Sequence, residues 1–145
     1  MVSISASPYE FGKRERRESI HRAIAKSLGV PLAYVNQVGA NDEILFDGGS
    51  FVSTEKGVLA SRLPVFAEGF SVVSLDQGGA PLQVAASLEE IEVLRQGLVR
   101  GIRDYFERTG FRSAVIGLSG GIDSALVAVL VAEALGPANV LGVAM

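Results

Sequence analysis

Residues 114–136, AVIGLSGGIDSALVAVLVAEALG, decide the fold. An apolar run from Ala114 breaks after Leu118 into Ser119-Gly120-Gly121-Ile122-Asp123-Ser124, and a helical pattern then carries on to Leu135. Glycines at such a join let the backbone approach a ligand closely, and a helix start offers unpaired N–H groups. With the helix dipole added, the turn attracts phosphate or another anion. Ser119 and Ser124 place hydroxyls beside those amides. Asp123 would repel a phosphate unless a cation lay between them, and Mg2+ bridging the carboxylate to phosphate oxygens resolves the conflict. A helix N-cap turn with glycines for close packing is the plainer alternative. A Walker loop is excluded because no lysine follows Lys56. The dinucleotide fingerprint is excluded too, since Gly117, Gly120 and Gly121 have the wrong spacing.

Reading outward, Gly136-Pro137 and an apolar stretch at 139–144 complete a βαβ unit, which calls for a parallel sheet with a right-handed crossover. A ligand would sit at the carboxyl end of strand 112–118. Upstream, Ser87-Leu88-Glu89-Glu90 has the spacing of a capping box and opens a helix running to about Thr109. Leu88, Ile91, Leu94, Leu98, Ile102 and Tyr105 form its apolar stripe. Gly78, Gly79 and Pro81 mark residues 76–86 as a linker, dividing the chain into 1–75 and 87–145. In the first part, residues 2–6 alternate as a strand. A helix from Lys13 to Leu28 carries Ile20, Ile24 and Leu28 on its apolar face, with Arg14 and Arg17 among the cations on the remainder. Gly29 and Pro31 stop it. The stretch 31–39 is one strand with Leu32, Tyr34 and Val38 on a shared face. Short antiparallel strands follow, turning at 47–49 and 55–57, and then a strand at 70–76. Phe46 and Phe51 belong to the core. Asp42, Glu43 and Asp47 sit in turns, where acidic residues are expected anyway.

Composition closes off several classes. The chain of 145 residues has a formal charge of -3 and no cysteine. It therefore has no disulfide, no thiolate metal site and no cysteine nucleophile within these residues. One histidine, His21, excludes a multi-His metal site. The acidic balance argues against nucleic acid as a partner, and the basic helix surface is interleaved with Glu15 and Glu18 as a solvated face would be. The longest apolar run, 125–135, carries Glu133 and is too short for a membrane span. No signal-peptide pattern opens the sequence, so a cytoplasmic location is expected. Strands set hard against both ends suggest a piece of a longer protein.

GLSGGIDS resembles the pyrophosphate-binding loop of the PP-loop ATPases, which split ATP between its α and β phosphates and adenylate a substrate. The wider stretch 115–145 is most similar to NAD synthetases. Residues 3–52, with Ser7-Pro8-Tyr9, Gly12-Lys13, Tyr34-Val35-Asn36-Gln37-Val38-Gly39 and Phe46-Asp47-Gly48-Gly49-Ser50, resemble the C-terminal part of a nitrilase-type amidase. That is the glutaminase domain fused ahead of NAD synthetase in bacterial glutamine-dependent enzymes. The resemblance implies an α/β fold: the end of a nitrilase-like α-β-β-α layer, then the first βαβ of a doubly wound PP-loop sheet. It implies ATP- and glutamine-dependent amidation of deamido-NAD to NAD through an adenylated intermediate, with a homo-oligomeric full-length enzyme. By its motifs, Ser7 and Lys13 contact glutamine. Gly117, Leu118, Ser119, Gly120, Gly121, Ile122, Asp123 and Ser124 contact ATP, with Mg2+ at Asp123. The Cys-Glu-Lys triad of the glutaminase falls upstream of the matched segment, so no catalytic residue is assigned here and activity of these residues alone is not expected. A tRNA-modifying PP-loop enzyme and a non-catalytic remnant remain as alternatives.

Overall fold

The computed structural model describes residues 1–74, 83–84 and 87–145. Its first half is built on a five-stranded sheet. Strand β1 (Val2–Ser5) runs parallel to β2 (Leu32–Asn36), and helix α1 (Lys13–Leu28) crosses between them. Strand β2 pairs antiparallel with β5 (Phe51–Ser53), which pairs antiparallel with β6 (Leu59–Arg62). The two-residue β7 (Gln83–Val84) runs parallel to β6 at the edge. Between β2 and β5 the chain leaves the sheet as a separate hairpin, β3 (Val38–Asn41) on β4 (Ile44–Asp47). The stretch expected to be one strand over 31–39 is thus two strands in two sheets, with Gln37 between them. Its N–H donates to the Ser5 carbonyl at 3.0 Å, and its carbonyl accepts from the Gly48 N–H at 2.9 Å. The turn at 55–57 joins β5 to β6 as expected, whereas β4 pairs back onto β3. Residues 71–74 form no strand, contrary to expectation, and 75–76 lie outside the described residues.

Helix α1 has the expected limits but buries a neighbouring face, turned by roughly 60° from the expected stripe. Ile20, Ile24 and Leu28 are exposed, while Arg14, Arg17 and Ala25 are buried. Apolar periodicity picked the wrong stripe because each buried arginine has a partner elsewhere in the chain. Arg17 forms an ion pair with Asp47, and Arg14 donates to the Leu88 carbonyl at 3.1 Å. Paired and hydrogen-bonded cations can be buried where lone ones cannot. The core on this side of the sheet is Ala25, Leu32, Tyr34 and Phe51, with Leu59 against it. Phe46 is buried as well.

The second half begins with α2 (Glu90–Thr109) and continues as β8 (Ala114–Leu118), α3 (Ile122–Leu135), a 3-10 turn (Pro137–Asn139) and β9 (Val140–Ala144). Strands β8 and β9 are parallel in register from Ala114↔Val140 to Leu118↔Ala144, which is the expected βαβ pairing. Helix α2 starts at Glu90, later than expected, and no side chain caps it. The capping box therefore does not form. Glu90 instead accepts from the Gly12 N–H at the start of α1, at 3.1 Å, and lies 3.7 Å from Arg14.

The single apolar stripe expected on α2 also gives way, because the helix has two neighbours. Val93 packs with Val65 and Phe66 on the first half. Val99 packs with Leu130 and Ala134 of α3. Ile91, Leu98 and Tyr105 stay exposed. Polar contacts follow the same division. Asp104 accepts from the Ala40 N–H of β3 at 2.6 Å and pairs with Arg100. Toward α3, Arg95 reaches Glu133, and Arg103 donates to the Ala134 carbonyl at 3.2 Å. Hydrogen bonds from Arg95 and Gln96 hold the Glu92 carboxyl down at about 2. Most of the linker at 76–86 lies outside the described residues; its Gln83–Val84 form β7. Among the described residues, no helix is long and apolar enough to cross a membrane.

Candidate functional sites

The loop after β8 leaves the strand at its carboxyl tip. Residues 119–123 are exposed there, with Ser124 and Leu118 half-buried. Gly120 has φ +81°, which a side chain with a Cβ adopts only with strain, and it has open space around it. Gly121 is extended, at φ −83° and ψ 158°, as the N-cap of α3. A Cβ on Gly121 would meet only the Ser119 hydroxyl, 3.5 Å away. The backbone therefore demands glycine at 120. At 121 the backbone is extended and admits other residues, and a Cβ there stands at ordinary contact distance from the Ser119 hydroxyl.

The two hydroxyls close the loop on itself. Ser119 Oγ and Ser124 Oγ lie 3.2 Å apart, and Ser124 Oγ donates to the Gly121 carbonyl at 3.0 Å. The Ser119 N–H donates to Ser124 Oγ at 3.3 Å. Helix α3 opens with N–H groups that no side chain caps, next to both hydroxyls. Gly117 and Leu118 close the strand beneath the loop. Leu118 accepts from the Met145 N–H at 3.1 Å, and Gly117 packs under the Met145 side chain. Ile122 and Asp123 stand exposed in the first turn. Residues 119–124 thus form one continuous surface of amides, hydroxyls and a single carboxylate, with Gly117 and Leu118 in the strand below it. Among the described residues, no group of three or more acidic or histidine side chains could hold a metal on its own. The lone Asp123 instead suits a cation that shares its other ligands with phosphate and water.

The first half brings Ser7 and Lys13 together. They line one open cavity of about 250 Å³ with Ser5, Arg16, Arg17, Ile20, His21 and Tyr34. Lys13 Nζ donates to the Pro8 carbonyl at 3.2 Å and lies 3.9 Å from Glu10. Beneath Ser7 runs a buried polar network that sequence reasoning missed. Both terminal nitrogens of Arg17 bind the Asp47 carboxylate, at 3.0 and 2.7 Å. Asn36 donates to Asp47 at 3.1 Å and to the Ser7 carbonyl at 3.2 Å, and it accepts from the Ser7 N–H at 2.8 Å. Arg17 also donates to Ser7 Oγ at 3.4 Å. Its guanidinium stands 5.3 Å over the Tyr34 ring, a cation–π contact. His21 is packed against Tyr34 and Phe51, with Nδ1 2.8 Å from the Arg17 carbonyl. The available signal was the spacing of Arg14, Arg17, His21 and Ala25, which lie on one helical face.

Residues 94–145 match the family model for NAD synthase. Over 100% of its length the chain is 49% identical to a glutamine-dependent NAD(+) synthetase of Synechocystis sp., and over 94% it is 44% identical to that of Rhodobacter capsulatus. By sequence, the chain is similar to the glutamine-dependent NAD(+) synthetases. It spans about a quarter of their length, 27% of the first and 26% of the second. A solved glutamine-dependent NAD+ synthetase from Acinetobacter baumannii, in complex with ADP, superposes with a TM-score of 0.93 at 40% identity. That match covers 99% of this chain and 28% of the synthetase. The similarity to these synthetases therefore extends across both the cavity and the loop.

Proposed function

We propose that the chain carries parts of two sites of one ligase: a glutamine pocket at Ser7 and Lys13, and an ATP-binding loop at 117–124. The reaction is amidation of deamido-NAD to NAD, in which ATP adenylates the carboxylate and ammonia derived from glutamine displaces AMP. In this reading 1–75 is the end of a nitrilase-like glutaminase domain, 76–86 a linker and 87–145 the opening of a doubly wound PP-loop synthetase domain.

The observation that carries the reading is the position of the loop. It leaves a parallel strand at the carboxyl tip and presents amides and hydroxyls at the N-terminus of α3, the arrangement that holds phosphate. Ser119 and Ser124 now bond within the loop and can turn their protons outward to phosphate oxygens. Asp123 would hold Mg2+, which offsets phosphate charge when bound. A solved relative in complex with ADP supports an adenine nucleotide as the class of ligand.

In the pocket, Lys13 would meet a carboxylate and Ser7 a polar group of the same amino acid. The glutaminase nucleophile would come from outside these 145 residues, which contain no cysteine. Supplying the complete gene product with deamido-NAD, ATP, Mg2+ and either glutamine or ammonium tests the proposal. NAD, AMP and pyrophosphate are the expected products with both nitrogen sources. Release of ADP and phosphate, or no NAD from ammonium, overturns it.

A further inference from the structure

The network under Ser7 does more than fill the interior. Four elements converge on it: the turn after β1 gives Ser7, α1 gives Arg17, β2 gives Asn36 and β4 gives Asp47. The Arg17 and Asp47 side chains are 6% and 2% exposed, so the ion pair is shut off from water. A guanidinium has five donors and no acceptor. Its contact with Ser7 Oγ therefore makes that oxygen an acceptor and leaves the hydroxyl proton for a different partner. The open side of Ser7 is the cavity. Asp47 meanwhile occupies both terminal nitrogens of Arg17, so this cation is already neutralised. Arg16, on the same cavity, pairs with no carboxylate among the described residues.

We propose that Arg17 and Asp47, steadied by Asn36, are positioning residues that turn Ser7 into a hydrogen-bond donor toward an oxygen of the bound amino acid, while Lys13 and Arg16 meet its carboxylate charge. The proposal deepens the glutamine reading of this pocket and rests on it. An apolar replacement of the pair would keep the fold and lose the orientation of Ser7, because buried ion pairs exchanged for hydrophobic residues of similar size are often neutral or stabilising.

The test measures glutamine-dependent NAD synthesis by the complete gene product as separate kcat and KM values, with a thermal melt of each variant. The double variant Arg17→Met/Asp47→Leu should melt close to the parent. Its KM for glutamine should rise about tenfold, the loss of one well-placed hydrogen bond, while kcat at saturating glutamine changes by less than about threefold. An unchanged KM in the folded double variant overturns the proposal. If the double variant melts far below the parent, Arg17→Lys decides the matter. It keeps the charge opposite Asp47 but lacks the fork that reaches Ser7 as well, so its KM should rise, and a parental KM overturns the proposal. Ser7→Ala and Lys13→Met run alongside. If neither raises KM for glutamine, the pocket does not bind glutamine and both readings fall. If both raise it and the Arg17 variants do not, only the positioning role falls.

Discussion

The wall of the Ser7 cavity and the loop after β8 are built in opposite ways. The first gathers residues from positions 7, 17, 36 and 47 around a buried ion pair. The second uses eight consecutive residues, mostly exposed, that bond chiefly to one another. Function at the cavity is therefore inseparable from the tertiary fold, whereas function at the loop is a local property of its backbone and hydroxyls. The two regions should respond differently to substitution: removing one partner of the buried pair should cost stability first, whereas loop substitutions should cost chemistry first.

The largest effect is expected at the cavity wall. Asp47→Ala leaves the Arg17 charge buried without its partner, which costs about 3–5 kcal/mol. Chemical denaturation should report that loss, and a midpoint within error of the parent would show that water reaches the pair. Next comes the loop. Gly120→Val must hold a branched residue at φ +81° and should lower ATP-dependent amidation by about 10²–10³-fold, comparable to losing a main-chain anion donor. Asp123→Ala should do likewise through the cation. Asp123→Ala should melt with the parent, because no buried contact is touched, and Gly120→Val should lose only the roughly 1–3 kcal/mol of its backbone strain. A larger loss for either would erase the contrast between the two regions.

This contrast also explains what could be read from the sequence. The strand–loop–helix join at 114–124 was legible because it is contiguous in sequence. The limits of α1 were legible because Gly29, in the left-handed region at φ +63°, and Pro31 stop a helix locally. Its buried face was not, since periodicity favours Ile20 and Ile24 over Arg17 until Asp47, thirty residues later, is brought alongside. Ser7 and Lys13 were legible only as motif positions, and their shared cavity required the turn at 8–12 to fold back. The stripe on α2 was misread for a related reason. A helix between two neighbours buries two partial faces, and a one-stripe pattern describes neither.

Helix α2 joins the two regions, and its packing yields a smaller prediction. A Cβ at Gly97 would meet Phe66 Cζ at 2.9 Å and Leu45 Cδ2 at 3.1 Å. Gly97→Ala must therefore push the helix off the first half, at about 1–3 kcal/mol. Its better helix propensity offsets up to about 1 kcal/mol of that. The equilibrium denaturation midpoint measures the sum. A more stable variant would mean that the Phe66 ring swings aside freely.

The smallest effect belongs to Tyr9, which packs edge-on to Phe66 at 5.4 Å with its hydroxyl buried and no hydrogen-bond partner among the described residues. Burial, reinforced by the nearby Glu90 and Asp47 carboxylates, raises its pKa above the ordinary 10.0. The raised value means that the folded state favours the neutral phenol. This contribution is intact below the unfolded value near 10.0 and is lost as pH rises through the higher folded one. Tyr9→Phe should therefore leave stability at pH 7 unchanged or raise it by up to about 1 kcal/mol, since an unpaired buried hydroxyl is removed. Above pH 10 the variant should lose less stability than the parent. Parallel alkaline limbs for the two proteins would show that Tyr9 ionises as freely folded as unfolded, and that the junction between α1 and α2 admits water at this ring.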